Sequence, residues 1–204
     1  MCIRDRDKIR MLVDPTSDYV KAMVASLNRA KDDVIISSLG GNSRSTSGNI
    51  ILPTAQKIAV GGTNLTKAKI IQAKTLFRTN EADEEAGEEL YMLYNAAAAA
   101  QILADTTLTS TDYLAGQFLR EGSVRGKWMG FNWIPTERCP KVSTTRFLYA
   151  YAKSGVTLGK GADIMTKVGE DPGKGFNVRI YAKMSIGSVR VEEEKVVEIA
   201  CLEP

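Results

Sequence analysis

The sequence contains no histidine, and this absence excludes more than any other feature of its composition. Histidine is the commonest general base, the commonest zinc ligand and a member of every Ser-His or Cys-His nucleophile pair, so a hydrolase loses its usual support. The chain also has no run approaching the ~20 apolar residues of a membrane-spanning helix. No apolar core follows the charges at the N-terminus, so no secretory signal is indicated.

Cysteine is scarce as well, with only Cys2, Cys139 and Cys201 among 204 residues. These three are odd in number, far apart and without any CxxC spacing, which indicates neither a disulfide framework nor a zinc site. We expect free, buried thiols. The net charge of +3 is too small to indicate nucleic-acid binding, whereas 44% hydrophobic and 25% charged residues suit a globular core.

The first six residues, Met1 to Arg6, share no periodicity with the rest of the chain. Their text, MCIRDR, resembles a recurrent artefact at the start of reading frames taken from metagenomic reads. We therefore expect a non-native leader over residues 1–6 and native sequence from Asp7 onward. The alternative is a genuine short N-terminus.

Three helices are predicted from caps and apolar spacing. Asp14-Pro15 is a strong start signal, and apolar residues recur at helical spacing to about Leu39, where Gly40-Gly41 ends the helix. About 24 residues at 1.5 Å each make a strut of roughly 36 Å. Asn64 to Thr66 precedes a second helix, and Ala96 to Ala104 predicts a short third one. The apolar face predicted for the second helix comprises Ala68, Ile71, Thr75 and Leu76, with Ile70 and Phe77 beside it.

The other apolar segments predict strands. Trp128 to Ile134 is the most apolar segment and predicts one buried strand. Asp171 to Gly175 predicts a turn, because proline fixes one φ and glycine frees the next. Val178 to Ile186 then alternates apolar and polar residues until Gly187 breaks the pattern, and Val197 to Cys201 alternates again. Further strand candidates are residues 50–52, 58–60, 89–94, 147–152 and 156–158, and a turn candidate is Thr109–Tyr113.

The segment from Gly155 to Gly161, GVTLGKG, resembles a phosphate-binding loop at first sight. The spacing before Gly-Lys is one residue short of the nucleotide-binding motif, and the residue after Lys160 lacks the hydroxyl that would hold magnesium. A turn at the end of a strand is the better interpretation. We assign no catalytic, cofactor-binding or metal-binding residue, and we expect neither a cofactor nor an enzymatic activity.

One aromatic cluster and one acidic cluster could be functional sites, but a structural role is the better interpretation of each. Trp128, Phe131 and Trp133 have basic neighbours, as in a base-stacking platform, but no basic stripe continues from them, so core packing is favoured. Residues 81–89 carry six carboxylates. Because nothing apolar surrounds these carboxylates, we expect a solvated connection and not a catalytic pair.

Several phrases, taken in their order along the chain, resemble the major capsid proteins of tailed bacteriophages, closest to the podovirus-type group. The phrases are DKIRML from Asp7, DPTSDYVKAM and NRAKDDVII around the first helix, NLTKAKIIQAKTLF, ILADTTLTSTDYL, GKWMGFNWIPTERCP and MSIGSVRVEEEKVVEIACLE. The resemblance covers Asp7 to Glu203. No single phrase is as specific as a nucleotide-binding motif, and their order and spacing together carry the resemblance.

The resemblance implies an α+β chain with the Hong Kong 97-type capsid fold. The first part of a peripheral domain, with the long spine helix and short strands, is expected in residues 7–64. An axial α/β domain is expected in residues 65–169, and long C-terminal strands, paired as the peripheral sheet, in residues 170–204. The family carries an N-terminal arm and an extended loop ahead of the spine helix. Because this sequence lacks both, we expect a compact, two-lobed subunit that forms a monomer or small oligomer and no closed shell.

The function implied by the resemblance is that of a major capsid protein, which self-assembles through hexamers and pentamers into an icosahedral shell. Expected partners are other copies of the chain, together with scaffolding and portal proteins, and no membrane. Genomic DNA is expected to be packaged inside without sequence-specific binding. The resemblance also implies that the protein is made in the bacterial host cytoplasm and resides in the virion. The alternative is a small nucleic-acid-binding or enzymatic α+β domain, which would need a clustered site that this sequence does not offer.

Overall fold

The structure, a computed structural model, describes the residues 2–3, 16–45, 48–105 and 126–203. The predicted helix cap at Asp14-Pro15 and the predicted turn at Thr109–Tyr113 lie outside these residues. So does most of the six-residue leader, of which only Cys2 and Ile3 are described.

Three α-helices are present among the described residues, at Thr16–Gly40 (α1), Lys67–Thr79 (α2) and Ala96–Ala104 (α3). The long helix α1 ends where it was predicted to end, and the Gly41 amide donates to the Ser37 carbonyl at 2.9 Å. Helix α3 has the predicted bounds, because the Asn95 side chain caps it by accepting from the Ala98 amide at 3.0 Å. No helix in the described ranges is both long and apolar enough to cross a bilayer.

The described residues form twelve β-strands, numbered here in chain order. The first six are β1 Cys2–Ile3, β2 Ser43–Ser45, β3 Gly48–Ile50, β4 Lys57–Ile58, β5 Leu90–Tyr94 and β6 Gly126–Trp128. The second six are β7 Phe131–Pro135, β8 Lys141–Val142, β9 Thr145–Ala152, β10 Val156–Asp171, β11 Asn177–Arg190 and β12 Val196–Leu202. The helices and strands together confirm the predicted α+β class.

The chain divides into two compact units. Unit 1 comprises Met1–Val34 and Leu158–Ser188, and unit 2 comprises Ile35–Thr157 and Val189–Pro204. The divisions fall within helix α1 and within strands β10 and β11, so each of these elements contributes to both units.

Unit 1 contains the hairpin of β10 and β11, with β1 antiparallel to β11 at its edge. The predicted turn is confirmed, since the Asp171 carboxylate accepts from the Gly173 amide at 3.1 Å and Gly175 adopts a φ of 66°. The predicted break at Gly187 is wrong, because β11 continues to Arg190. Glycine keeps its backbone donor and acceptor, so it can continue a ladder although it weakens one.

Unit 2 is built on a mixed sheet in the order β4-β12-β9-β5-β7-β6, with β8 added to β9. Strand β5 is parallel to β7, β12 is parallel to β4, and the other pairs are antiparallel. The predicted alternation at the C-terminus is confirmed, because Val197, Ile199 and Cys201 are all buried. Helix α2 supplies Ile70, Ala73 and Phe77 to the same hydrophobic core.

The expected pairing of the two C-terminal strands is wrong. Strand β12 lies between β4 and β9, so both of its edges are occupied, while β11 pairs with β10 and β1. Alternation shows that a strand has one buried face, but its partners are set by distant segments that local pattern does not reveal.

Two local predictions also need correction. Residues 128–134 do not form one strand but two, β6 and β7, joined at Met129-Gly130. In helix α2 the buried face is the one with Ile70, Ala73 and Phe77, whereas Ile71 is exposed. The wrong face was predicted because Lys69 is buried on the face that packs against the core, and a charged residue there interrupts the apolar pattern of the sequence.

Candidate assembly surfaces

The β10–β11 hairpin of unit 1 carries exposed apolar side chains along both strands. Met165 and Val168 are exposed on β10, Tyr181 is exposed on β11, and Phe176 is exposed between the strands. A shallow cavity of about 350 Å³ lies beside them and is lined in part by Arg179, whose guanidinium lies 5.8 Å from the Tyr181 ring centroid. Such a concentration of exposed apolar side chains is typical of a protein–protein contact surface.

The tip of the hairpin is its most unusual point. Phe176 has a φ of 60° and is 61% exposed, and its amide donates to the Asp171 carbonyl at 3.0 Å. A left-handed backbone is unfavourable for a bulky residue, and exposing an aromatic ring to water is unfavourable too. A residue that carries both costs is a candidate contact residue, because strain of this kind collects at functional positions.

Within unit 1, an ion pair joins helix α1 to strand β10. Lys31 Nζ lies 2.6 Å from Asp163 Oδ1, and Lys160 Nζ lies 3.7 Å from the other carboxylate oxygen. The hydrogen bond from Lys31 lowers the pKa of Asp163 to about 2. The carboxylate is therefore ionised at any physiological pH and holds the helix to the strand at this point.

Unit 2 contains a buried arginine whose guanidinium donates hydrogen bonds to three backbone carbonyls. The Arg190 side chain donates from Nη1 to the carbonyls of Leu39 and Gly41 at 2.8 and 2.7 Å, and from Nη2 to the Ile50 carbonyl at 3.1 Å. Burial lowers the pKa of Arg190 below its ordinary value. The cation suits the C-terminal end of helix α1, where carbonyls lack helical partners and the helix dipole is negative.

A buried lysine has a similar role on helix α2. Lys69 Nζ donates to the carbonyls of Val60, Thr63 and Ala200 at 2.8, 2.7 and 2.8 Å. Burial lowers the pKa of this ammonium group. All three hydrogen-bond donors of the ammonium are used, so it joins α2, the loop before it and β12.

Charged groups cover both ends of the unit 2 sheet. At one end Arg146 and Lys141 share Glu203, and the hydrogen bond from Arg146 lowers the pKa of that carboxyl. At the other end Glu88 accepts from Ser154 and from Lys195, and the Ser154 bond is the main cause of its lowered pKa. These clusters pair their charges within the chain and leave no arrangement suited to acid–base chemistry.

The acidic run over residues 81–89 is only partly the solvated connection that was predicted. Glu81 and Glu85 are exposed, but Asp83 is buried and accepts from Arg78 at 2.7 Å. The Arg78 hydrogen bond is the main cause of the lowered pKa of Asp83. Asp83 also accepts from the Glu85 amide at 3.1 Å, so it caps a short turn and positions the start of β5.

The glycine-rich segment, the aromatic cluster and the two buried cysteines all have structural roles. Residues 155–161 lie at the end of a 3₁₀ turn and in strand β10, with no helix following to bind a phosphate. Phe131 and Trp133 are buried in the core as predicted, and Trp133 Nε1 donates to the Trp128 carbonyl at 3.0 Å. Cys139 and Cys201 are free and buried, and burial raises their pKa values to about 12 and 11.

A match to a known protein family identifies this chain. The model of the phage capsid protein family matches residues 1–203. The chain belongs to the phage capsid protein family. The predicted resemblance is thereby confirmed, and the alternative of a nucleic-acid-binding or enzymatic domain has no support. No curated protein sequence matches the chain.

Solved capsid structures share the fold at low sequence identity. A protein of Mycobacterium phage Che8 superposes with a TM-score of 0.72 at 18% identity, covering 98% of this capsid protein and 68% of its own chain. The capsid of cyanophage P-SCSP1u gives a TM-score of 0.69 at 17% identity, covering 100% and 71%. The SrpI encapsulin from Synechococcus elongatus PCC 7942 gives 0.63 at 10% identity, covering 100% and 71%.

These findings confirm the Hong Kong 97-type fold and a structural role in the shell of a tailed phage. The capsid protein is accordingly a component of the virion. Sequence reasoning had assigned no site residue and so missed buried Arg190 and Lys69 and exposed Phe176. Of these, only Phe176 left a signal, because an aromatic residue directly after Gly-Lys-Gly in a turn is conspicuous.

Proposed function

We propose that this capsid protein assembles with copies of itself into hexamers and pentamers, which close into an icosahedral shell around the DNA genome. Repeated heterologous contacts give a closed particle when the rotation at each contact is fixed. Scaffolding and portal proteins are the partners that such a shell requires, and the DNA inside is not bound by sequence. The protein is made in the host cytoplasm before assembly.

We further propose that the two units correspond to the two domains of the family. Unit 2 contains most of residues 65–169, the range expected for the axial domain, and unit 1 contains most of helix α1 and the long hairpin. On this assignment unit 1 belongs to the peripheral domain. The last strand, β12, then belongs to the axial sheet, in contrast to the original expectation for residues 170–204.

The observation that carries the proposal is the exposed apolar hairpin of unit 1. Its strands β10 and β11 are 16 and 14 residues long, and Phe176 projects from a left-handed turn at their junction. A protein that works alone gains nothing from a strained, exposed phenylalanine. A subunit that buries this ring against another copy removes the exposed apolar area from water, and the free energy gained offsets the backbone strain.

The test compares two variants by sedimentation velocity, from low micromolar to the highest soluble concentration. Phe176→Asn keeps a residue that tolerates the left-handed backbone and removes the aromatic ring. We expect unchanged or higher thermal stability and weaker self-association. Ile51→Asn is the matched control, because Ile51 is also exposed but belongs to unit 2 and is not part of the hairpin.

Equal association of wild type and Phe176→Asn would refute the role of the hairpin tip. A wild-type chain that remains monomeric at every concentration would refute self-assembly of this chain by itself and would match the monomer expected from the sequence for a chain without the arm and the extended loop. We also propose that the chain has no enzymatic or nucleotide-binding activity, since Lys160 lies within a strand and not in a phosphate-binding loop. Calorimetric detection of ATP binding at micromolar concentration would contradict this.

A further inference from the structure

Strand β10 is a long edge strand, and no strand among the described residues pairs with its second edge. It spans Val156–Asp171, 16 residues, and lies last in the sheet order β1-β11-β10. Strands are usually about 3–10 residues long, and an open edge presents unpaired amide and carbonyl groups. No proline interrupts β10, so every residue keeps its backbone donor. A further strand can therefore extend the sheet at this edge.

The charges of β10 are arranged symmetrically about Met165. Lys160 and Glu170 each lie five residues from Met165, and Asp163 and Lys167 each lie two residues from it. At equal distances on the two sides of Met165, the charges are therefore opposite in sign. All four charged side chains are exposed. A strand with this pattern matches a copy of itself that runs in the opposite direction.

The register of such a contact follows from its symmetry. Two identical antiparallel strands are related by a two-fold axis perpendicular to the sheet, so residues that face each other are equally far from the axis. With the axis at Met165, Lys160 faces the partner subunit's Glu170, and Asp163 faces the partner subunit's Lys167. The two-fold axis repeats both pairs, so each dimer contains four pairs of opposite charges.

Other positions of the axis do not give this match. With the axis at Ile164 or Thr166, no charge of the strand faces another charge. With the axis at Asp163 or Lys167, like charges meet on the axis itself. Like charges directly opposite each other destabilise a strand pair, whereas opposite charges stabilise it. The charge pattern of β10 therefore favours the single register that is centred on Met165.

Two of the four charges have no partner within the subunit. Neither Lys167 nor Glu170 forms an ion pair with any residue that the structure describes, whereas Lys160 and Asp163 lie 3.7 Å apart on the same strand. In the register about Met165, both unpaired groups gain an opposite charge from the second copy. Lysine on an edge strand ordinarily prevents pairing with another chain. Here the lysines meet carboxylates in one register, so they select that register.

Charges on the neighbouring elements leave this preference in place. Lys31 of helix α1 lies 2.6 Å from Asp163, and Arg179 of β11 lies 3.7 Å from Asp171. With Lys183 of β11 included, the surroundings of the strand pair carry a small excess of positive charge. The resulting repulsion changes little with register, and salt screens it beyond about 8 Å at physiological ionic strength. Directly opposite side chains are closer, with Cβ atoms about 4.5–5.5 Å apart, so they determine the register.

We propose that two copies of the capsid protein pair through their β10 edges, antiparallel and with the two-fold axis at Met165. This inference rests on the proposed self-assembly and names the surface that carries one of its contacts. The pairing joins two sheets into one, and it brings the exposed Met165 side chains of the two copies together at the axis.

The symmetry of the contact indicates its place in the shell. A contact in which both copies use the same surface is isologous and closes at two copies, whereas the contacts around a hexamer or pentamer are heterologous. The β10 pair therefore joins subunits of two neighbouring hexamers or pentamers. In solution, the same contact alone gives a dimer and no larger oligomer.

Disulfide trapping tests the register. Met165→Cys is prepared with Cys2→Ser, so that the remaining native thiols, Cys139 and Cys201, are buried. The proposed axis places the two new thiols opposite each other, with Cα atoms about 4.5–5.5 Å apart, within the range of a disulfide. Oxidation in air should therefore give a covalent dimer and no larger species.

Val168→Cys in the same background is the matched control on the same strand. Val168 is 50% exposed and Met165 is 48% exposed, but Val168 faces the partner subunit's Ala162. The two thiols of this control lie six residues apart along the strands, about 20 Å at ~3.3 Å each, so no dimer should form. The double variant Ala162→Cys/Val168→Cys should dimerise again, because each thiol then faces one of the other kind.

A charge exchange provides the second readout, by sedimentation velocity. Lys160→Glu places carboxylates opposite each other and should weaken dimerisation by roughly tenfold, because two attractive pairs in each dimer become repulsive. Lys160→Glu/Glu170→Lys restores opposite charges and should restore dimerisation. Lys67→Glu makes the same change of net charge at an exposed position outside the strand and should associate like wild type. All of these side chains are exposed, so each variant should also melt like wild type.

The outcomes separate this inference from the proposed function. Self-association of wild type without a dimer from Met165→Cys overturns the β10 contact and leaves self-assembly intact. An equal yield of dimer from Val168→Cys overturns the register, as does a charge exchange that fails to restore dimerisation. A Met165→Cys dimer from a chain that otherwise sediments as a monomer supports a weak β10 contact. A monomeric wild type together with no trapped dimer overturns both proposals for this chain.

Discussion

Replacing Arg190 should destabilise unit 2 more than any change to a surface charge. The side chain is 1% exposed and donates hydrogen bonds to the carbonyls of Leu39, Gly41 and Ile50. A buried carbonyl that loses its donor costs about 1–3 kcal/mol, so three such groups set an upper range of roughly 3–9 kcal/mol. Water entering the vacated space can satisfy part of this loss, and we expect Arg190→Ala to lower the free energy of unfolding by about 3–5 kcal/mol.

Urea unfolding followed by tryptophan fluorescence measures this change, because Trp128 and Trp133 both lie in unit 2. Arg190→Met separates hydrogen bonding from packing, since methionine fills much of the volume and offers no donor. Arg179→Ala is the control, because that arginine is more than half exposed and should change stability by no more than about 0.5 kcal/mol. If Arg190→Met were as stable as wild type, backbone hydrogen bonding would not be what makes Arg190 important.

Three further predictions concern other parts of the chain. In native protein at pH 8, Cys139 and Cys201 should resist a thiol reagent and react only on unfolding, because burial keeps their pKa values near 12 and 11. The contribution of Asp163 to stability should be complete above its unfolded pKa of about 3.9 and be lost as the pH falls through its folded pKa of about 2. The free energy of unfolding, measured from pH 2 to 6, should therefore be higher for wild type than for Asp163→Asn above that window and equal for the two below it. A difference that does not change with pH would contradict the role of Lys31. Ile180→Asp should cost several kcal/mol, because Ile180 is buried in strand β11 and the carboxylate would have no partner; an unchanged melting temperature would contradict this.

The sequence was sufficient to predict those elements whose bounds are determined by neighbouring residues. The cap at Asn95 and the alanines after it set helix α3, and the run ending at Gly40 set the end of helix α1. The turn after Asp171 followed from proline and glycine chemistry alone. The alternation in β11 was also correct in phase: Ile180 is fully buried, although Met184 on the same face is only half-buried.

Predictions failed where a distant segment determines the result. Buried Lys69 is stable on the inner face of α2 only because carbonyls from two other segments surround its ammonium group. Met129 takes a left-handed turn conformation for which its own side chain carries no signal, and so one predicted strand became two. The partners of β12 are β4 and β9, and nothing within residues 196–202 indicates which strands those would be.

The position of β12 has a consequence for how the protein is made. Its register places Ile199 beside Ile58 and Leu148, so β12 fills a gap between two strands that both lie much earlier in the sequence. During translation the sheet stays incomplete until β12 has left the ribosome, and the long sequence separation slows the closure further. A chain cut short before β12 would expose the edges of β4 and β9 and should be removed by proteolysis. Synthesis itself would thus select copies with a completed sheet before any of them is built into a particle.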